Sequence, residues 1–282
     1  MIVSGSGTQS LAAELAAETN HRLAGVSFEQ FPDGEGIVRI DGTPEHAVVV
    51  ASTVSDRAHV ELLQLQDAAR EAGADRVTTV LPYMGYARQD RAFESGQPVS
   101  ARAVARAIST GTDRVLTVEP HESSVCERFT VPATPVDAAG RLAAELSAPD
   151  PLVVAPDASA AELAQAVCDA HGSGECVHFE KRRRSGTDVE VEAEFALDRP
   201  VADRPVVLVD DIIATGSTMC QAARAVLDRG AASVTVACVH PLLVRDAYLR
   251  LRRVGVDRVI GTDTIERPVS TVTVAPAIAA AL

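Results

Sequence analysis

The sequence predicts an α/β protein made of two related halves, each a largely parallel sheet flanked by helices. Short β-branched runs alternate with Ala-rich stretches along the chain, the rhythm of parallel strands joined by helical crossovers. A shift of 157 residues lays 47–81 over 204–238 without a gap. Val49-Val50 falls on Val206-Val207, Gln64 on Gln221, Gly73-Ala74 on Gly230-Ala231, and Val77-Thr78 on Val234-Thr235. Between the copies, Ser147-Ala148-Pro149-Asp150-Pro151 has the composition of a linker, so domains are expected at 1–147 and 148–282.

In chain order, residues 9–18 read as an Ala-rich helix and 47–51 (Ala-Val-Val-Val-Ala) as a buried strand. The helix 59–72 and the strand 77–81 complete the first copy of the repeat. The helix 101–108, the strand 115–118 and the helix 138–146 close the first half. The second half opens on the strand 152–155 (Leu-Val-Val-Ala) and the helix 160–170. The strand 206–209, the helix 218–229 and the strand 234–239 form the second copy, and 259–261 is a last strand. Both copies run strand, loop, helix, Gly-Ala, strand.

Composition narrows the partners. Hydrophobic residues are 46% of the 282 and aromatics 3%, so the core must be built from Ala, Val, Leu and Ile. The net charge of −13 repels nucleic acid and anionic membranes. No apolar run approaches the ~20 residues of a spanning helix, and the start lacks a secretory signal; a cytoplasmic location is expected. Cysteines 126, 168, 176, 220 and 238 form no CxxC pair, which argues against a disulfide framework or a zinc site. The 26 basic residues are 25 Arg and the single Lys181. An acidic, Lys-poor chain fits solubility in concentrated salt, and the lone lysine marks a position where a guanidinium could fail.

The sharpest motif runs from Val206 to Thr218. A buried strand ends in Asp210-Asp211, and a turn through Ala214, Thr215, Gly216 and Ser217 leads to Thr218 at a helix start. Backbone N–H groups and the positive end of the helix dipole make such a turn an anion site. The two carboxylates would repel that anion unless they serve other groups, and two sugar hydroxyls at the far end of a phosphorylated ribose suit them.

This block resembles the phosphoribosyl-diphosphate loop of type I phosphoribosyltransferases. Further motifs narrow the resemblance to the ribose-phosphate pyrophosphokinases over nearly the whole chain. They are Phe31-Pro32-Asp33-Gly34-Glu35, Pro82-Tyr83-Met84-Gly85-Tyr86-Ala87-Arg88-Gln89-Asp90-Arg91, His121, Ala155-Pro156-Asp157 and the stretch 180–186. The resemblance implies two duplicated type I phosphoribosyltransferase-like domains, with the phosphate loop only in the second. It implies ATP binding by Phe31, Asp33, Glu35, Arg88 and Gln89. It places ribose 5-phosphate on Asp210, Asp211, Ala214, Thr215, Gly216, Ser217 and Thr218, and magnesium at His121 and Asp157. Lys181 and Arg183 are then the catalytic cations. Taken alone, Phe31–Glu35 reads as a Pro-Asp-Gly turn between strands, and Asp90 and Arg91 as a surface ion pair.

The activity implied is transfer of diphosphate from ATP to the 1-hydroxyl of ribose 5-phosphate, in a homodimer or higher homo-oligomer. Three positions depart from the family's pattern. Ala214 stands where many members carry an acid, Asp157-Ala158-Ser159-Ala160 replaces a Gly-rich continuation, and Met84 replaces an aromatic. The first two keep open a catalytically silent paralogue that binds nucleotide or sugar phosphate and regulates a partner. A phosphoribosyltransferase that consumes the product is weakened by the ATP-type motifs of the first half.

Overall fold

The computed structural model describes residues 1–182, 194–196 and 200–282. They form two compact units: 1–138 with 263–267 and 273–282, and 139–262 with 268–272.

The first unit opens with β1 (Ile2–Ser4) and α1 (Gln9–Thr19), then the hairpin β2 (Gly25–Gln30) and β3 (Gly36–Asp41). Next come β4 (His46–Val50), α2 (Asp56–Glu71), β5 (Arg76–Leu81), α3 (Ser100–Ser109), β6 (Arg114–Val118) and β7 (Ala133–Val136). The main sheet has the order β1-β4-β5-β6-β7, and every pair is parallel. Val48, Val49, Val50, Val77, Val80, Val115 and Leu116 are fully buried, so these strands read as apolar runs rather than as alternating ones. Leu62, Leu65 and Ala69 of α2 pack on this sheet from one stripe of the helix. The Ser55 hydroxyl caps α2 by accepting from the N–H of Ala58 at 3.2 Å.

In the second unit α4 (Ala139–Ala144), β8 (Leu152–Ala155), α5 (Ala161–His171) and β9 (Glu175–His178) precede a short antiparallel pair, β10 (Glu180–Arg182) and β11 (Glu194–Ala196). There follow β12 (Pro205–Ile212), α6 (Ser217–Leu227), β13 (Ser233–His240), α7 (Ala247–Val254), β14 (Arg258–Thr262) and β15 (Ser270–Val272). The sheet order is β15-β14-β13-β12-β8-β9, again parallel throughout.

The two orders superimpose as β1-β4-β5-β6-β7 on β8-β12-β13-β14-β15, with β9 as an added edge strand. The repeat seen in the sequence is therefore β4–α2–β5 against β12–α6–β13. Among the described residues each unit also carries an antiparallel pair, β2–β3 in the first and β10–β11 in the second. The expected strands and helices are all present; β1, the strands of the hairpin, β7, β9, β10, β11, β15, α7 and a last helix at Ala275–Ala281 are additions to those read from sequence.

The chain ends with α8 (Ala275–Ala281), which packs against α1 and lies by β6 and β7 of the first unit. Reciprocally, α4 follows the first half's last strand yet packs on α5 and lies by β13 and β14. Each half thus gives its closing helix to the other unit. This is why the units part between Ala138 and Ala139, whereas composition placed the boundary at 147/148. Buried Ala139, Leu142 and Ala143 carry α4 into the second unit, and buried Ala275 and Ile278 carry α8 into the first.

Ile278 is fully buried. Ile278→Ala is expected to cost about 2–4 kcal/mol through lost transfer energy and a cavity. The check is the denaturant midpoint of unfolding, which should fall with an unchanged slope.

Candidate active site

Parallel pairing puts the carboxyl ends of all strands of a sheet on one edge, where α/β sites collect. On that edge of the second unit, Asp157 follows β8 and Asp210-Asp211 end β12, its neighbour; the register pairs Val154 with Leu208. Asp157 caps a short 3-10 turn, its Oδ1 accepting from the Ser159 N–H at 3.1 Å and from the Ser159 hydroxyl. Asp210 is half-buried, and its Oδ1 accepts from the N–H of Asp211 at 3.0 Å. Loss of water around it, reinforced by the charges of Asp211 and Asp157, pushes its carboxyl well above the usual carboxylate range.

The loop beyond Asp211 has two unlike sides. Three consecutive carbonyls are taken: Ile213 O by the N–H of Leu243 at 2.8 Å, Ala214 O by the N–H of Val244 at 3.0 Å, and Thr215 O by Arg250 Nη1 at 3.0 Å. No peptide here is cis, so the N–H of each bond points opposite to its carbonyl. The N–H groups of Ala214, Thr215 and Gly216 therefore face away from α7, and none has a protein acceptor among the described residues. They make an anion cradle that continues into the first turn of α6. Gly216 has φ +71°, a left-handed turn that favours glycine, and it sits over Ala247 of α7. The Thr215 and Ser217 hydroxyls lie 3.2 Å apart at the same mouth, with Thr218 in the first turn of α6.

The corresponding loop of the first unit is closed. The Thr53 N–H donates to Tyr83 O at 2.9 Å, its hydroxyl accepts from the Gly85 N–H at 2.9 Å, and the Ser52 hydroxyl donates to Thr264 O. A Cβ on Gly85 would lie 2.1 Å from Thr53 O, so the backbones touch where the second unit leaves its cradle open.

The other positions named from sequence are spread over both units. Phe31, Asp33 and Glu35 form the exposed turn of the β2–β3 hairpin, closed by Phe31 N–H to Glu35 O at 2.8 Å and Glu35 N–H to Asp33 Oδ1 at 3.1 Å. Gly34 holds φ +95° there, so the Pro-Asp-Gly turn is real. Arg88 is exposed. The Gln89 amide ties the loop to α3, accepting from the Ser100 hydroxyl at 2.6 Å and donating to Pro98 O at 3.3 Å. Arg91 stacks 5.4 Å from the Phe93 ring centroid. His121 follows β6 in the first unit, as Asp157 follows β8 in the second. Lys181 sits in β10, in register with Phe195 of β11; Arg183 lies outside the described residues. Sequence reasoning missed Arg250, Leu243 and Val244, which brace the loop from behind. The one signal was Ala247 and Leu251 at helical spacing, which reveals α7 but not its task.

Among the described residues no three His, Cys, Asp or Glu side chains are arranged to hold a metal. Magnesium binding by one or two protein ligands plus water and substrate phosphate needs no such cluster. The crowding of Asp157, Asp210 and Asp211 is a charge that a divalent cation would relieve. No helix among the described residues is long and apolar enough to cross a membrane.

A parallel α/β unit whose strand ends in paired acids and runs through an N–H cradle into a helix defines the phosphoribosyltransferase class. Residues 135–271 match the phosphoribosyl transferase domain, and residues 1–111 match the N-terminal domain of ribose phosphate pyrophosphokinase. A ribose-phosphate pyrophosphokinase of Halobacterium salinarum is 59% identical, with 100% of both chains covered. That of Methanopyrus kandleri is 44% identical over 96% of this chain and 94% of its own. The crystal structure of phosphoribosylpyrophosphate synthetase from Mycobacterium smegmatis aligns with a TM-score of 0.83 at 28% identity, covering 100% of this chain and 96% of that one. The chain belongs to the ribose-phosphate pyrophosphokinase family.

The raised Asp210 carboxyl gives a signed pH effect. Its stabilising share is full below the ordinary carboxylate pKa of about 4 and is lost as pH rises toward the elevated folded value. With chelator present and no ligand, Asp210→Asn should raise the unfolding temperature at pH 8 by about 2–4 °C. The gain should shrink toward pH 4, and thermal scans across pH check it.

Proposed function

We propose that this chain transfers the diphosphate of ATP to the 1-hydroxyl of ribose 5-phosphate, giving phosphoribosyl diphosphate and AMP. The observation that carries this is the second unit's loop, with acids at one end and an open N–H cradle at the other, in a chain alignable end to end with pyrophosphokinases. The silent-paralogue alternative has no observation of its own in support.

In this assignment the cradle of Ala214, Thr215, Gly216, Ser217 and Thr218 holds the 5-phosphate, while Asp210 and Asp211 accept from the ribose hydroxyls. The sugar is thereby clamped at both ends and its 1-hydroxyl is aimed. Phe31 offers a ring face to adenine, Asp33 and Glu35 accept from its amine, and Arg88 forks onto phosphate oxygens. Gln89 serves the same site indirectly, because its amide fastens the loop to α3. Magnesium, assigned to His121 and Asp157, would supply neutralisation of the diphosphate oxygens. The ribose oxygen attacks the β-phosphorus, the bond from that phosphorus to the bridging oxygen of the α-phosphate breaks, and AMP leaves with that oxygen. The hydroxyl proton passes to solvent, since no general base is evident among the described residues. Lys181 and Arg183 stabilise the charge that develops on the transferring group.

We further assign the enzyme to the cytoplasm and to a salt-rich one. A net charge of −13 with one lysine suits a protein hydrated in concentrated salt. As in the sequence reading, a homodimer or higher homo-oligomer is proposed.

Phosphorus NMR of the purified chain with ATP, ribose 5-phosphate and magnesium should show AMP and a new sugar-linked diphosphate, at molar salt no more slowly than at low salt. Lys181→Ala should lower kcat by about 10²–10³-fold. Binding of both substrates without turnover at any salt would overturn the activity in favour of a silent paralogue.

A further inference from the structure

We infer that Arg250 is a positioning residue for the sugar-phosphate loop: it fixes the orientation of the Thr215–Gly216 peptide and so sets affinity for ribose 5-phosphate rather than for ATP. The inference rests on the assignment of that loop to the 5-phosphate.

Three donors hold the loop's carbonyl side, and two of them, the N–H groups of Leu243 and Val244, are backbone. The third is the Arg250 guanidinium, whose Nη1 donates to Thr215 O at 3.0 Å and to Ser217 Oγ at 3.3 Å. Planarity makes the consequence specific. With the Thr215 carbonyl held toward α7, the Gly216 N–H must face the cradle. Gly216 at φ +71° is the residue with the greatest freedom to let that peptide turn over. A Ser217 hydroxyl that accepts from Arg250 directs its own proton elsewhere, which leaves it a donor for an anion. Arg250 is itself held, since α7 is anchored by fully buried Leu251 and by Ala247 beneath Gly216. Its guanidinium lines a cleft of about 420 Å³ between α6 and α7 with Arg224 and Arg253. Among the described residues no carboxylate lies within salt-bridge distance of these three. Arg250 is thus committed to the loop rather than to an ion pair.

The test is steady-state kinetics of Arg250→Met, Arg250→Lys, Arg253→Ala and Thr218→Val, with unfolding temperatures measured alongside. Arg250→Met should raise KM for ribose 5-phosphate about ten- to a hundredfold and leave KM for ATP within about twofold. Arg250→Lys, which keeps a donor and the charge, should fall between it and the parent chain. Arg253→Ala, which removes a neighbouring cation that does not touch the loop, should leave both constants unchanged. Equal rises for both substrates, no rise at all, or a rise as large in Arg253→Ala would overturn the positioning role. If Arg250→Met does not fold, an Arg250→Lys enzyme with parental constants would overturn it equally. Thr218→Val probes the loop directly: if it leaves KM for ribose 5-phosphate unchanged, the loop assignment itself falls, and the inference with it.

Discussion

Parallel pairing is the constraint on which everything else in this molecule depends. Each strand of the two main sheets runs the same way as its neighbours, so all their carboxyl ends share one edge. A parallel sheet needs a crossover after each strand and is covered on both faces. That explains the Val- and Ala-rich composition: the strands are apolar throughout, and small helix side chains let the layers approach closely. It also explains why the polar motifs gather after strand ends, the first places where the chain can hold an unpaired donor or a charge.

At the loop after β12 the same economy is local. A turn presents N–H groups to a ligand only if its carbonyls are satisfied behind it. Here Leu243, Val244 and Arg250 supply that backing. The equivalent turn after β4 spends its donors inside the fold, on Tyr83 and on Thr264. Two copies of one architecture have therefore diverged in where a few hydrogen bonds go, with little change in the sheet. The raised carboxyl of Asp210 belongs with this picture: burial and the charges of two neighbouring acids meet at the same strand end.

Much of this was legible in the sequence, for identifiable reasons. Buried parallel strands are continuous runs such as Val206–Val209, and the repeat exposed β4–α2–β5 and β12–α6–β13 together. The candidate loop after β12 stood out in the sequence because Asp210-Asp211 and the Gly-hydroxyl turn are contiguous. Other elements gave little local signal, apart from the Pro-Asp-Gly turn that joins β2 and β3. β1, β11 and β15 are three residues each, too short for a pattern to establish itself. Strands β2 and β3 alternate half-buried with exposed positions and carry few runs. The Pro-rich stretch near 147–151 imitates a boundary, but the chain had already changed units at α4, a tertiary choice that composition does not record. Arg250 was invisible for the same reason: what gives it meaning is a carbonyl 35 residues earlier in the chain.

The exchange of α4 and α8 bears on how the protein is made. The first unit includes residues 263–267 and 273–282, so the segment that closes it is synthesised after the whole of the second unit. Translation therefore cannot deliver a finished amino-terminal unit that waits while the rest emerges. Until α8 arrives, α1 lacks the helix it packs against. The two halves, though related by duplication, must mature together, and a chain cut at the repeat would yield two incomplete bodies in place of two ancestors.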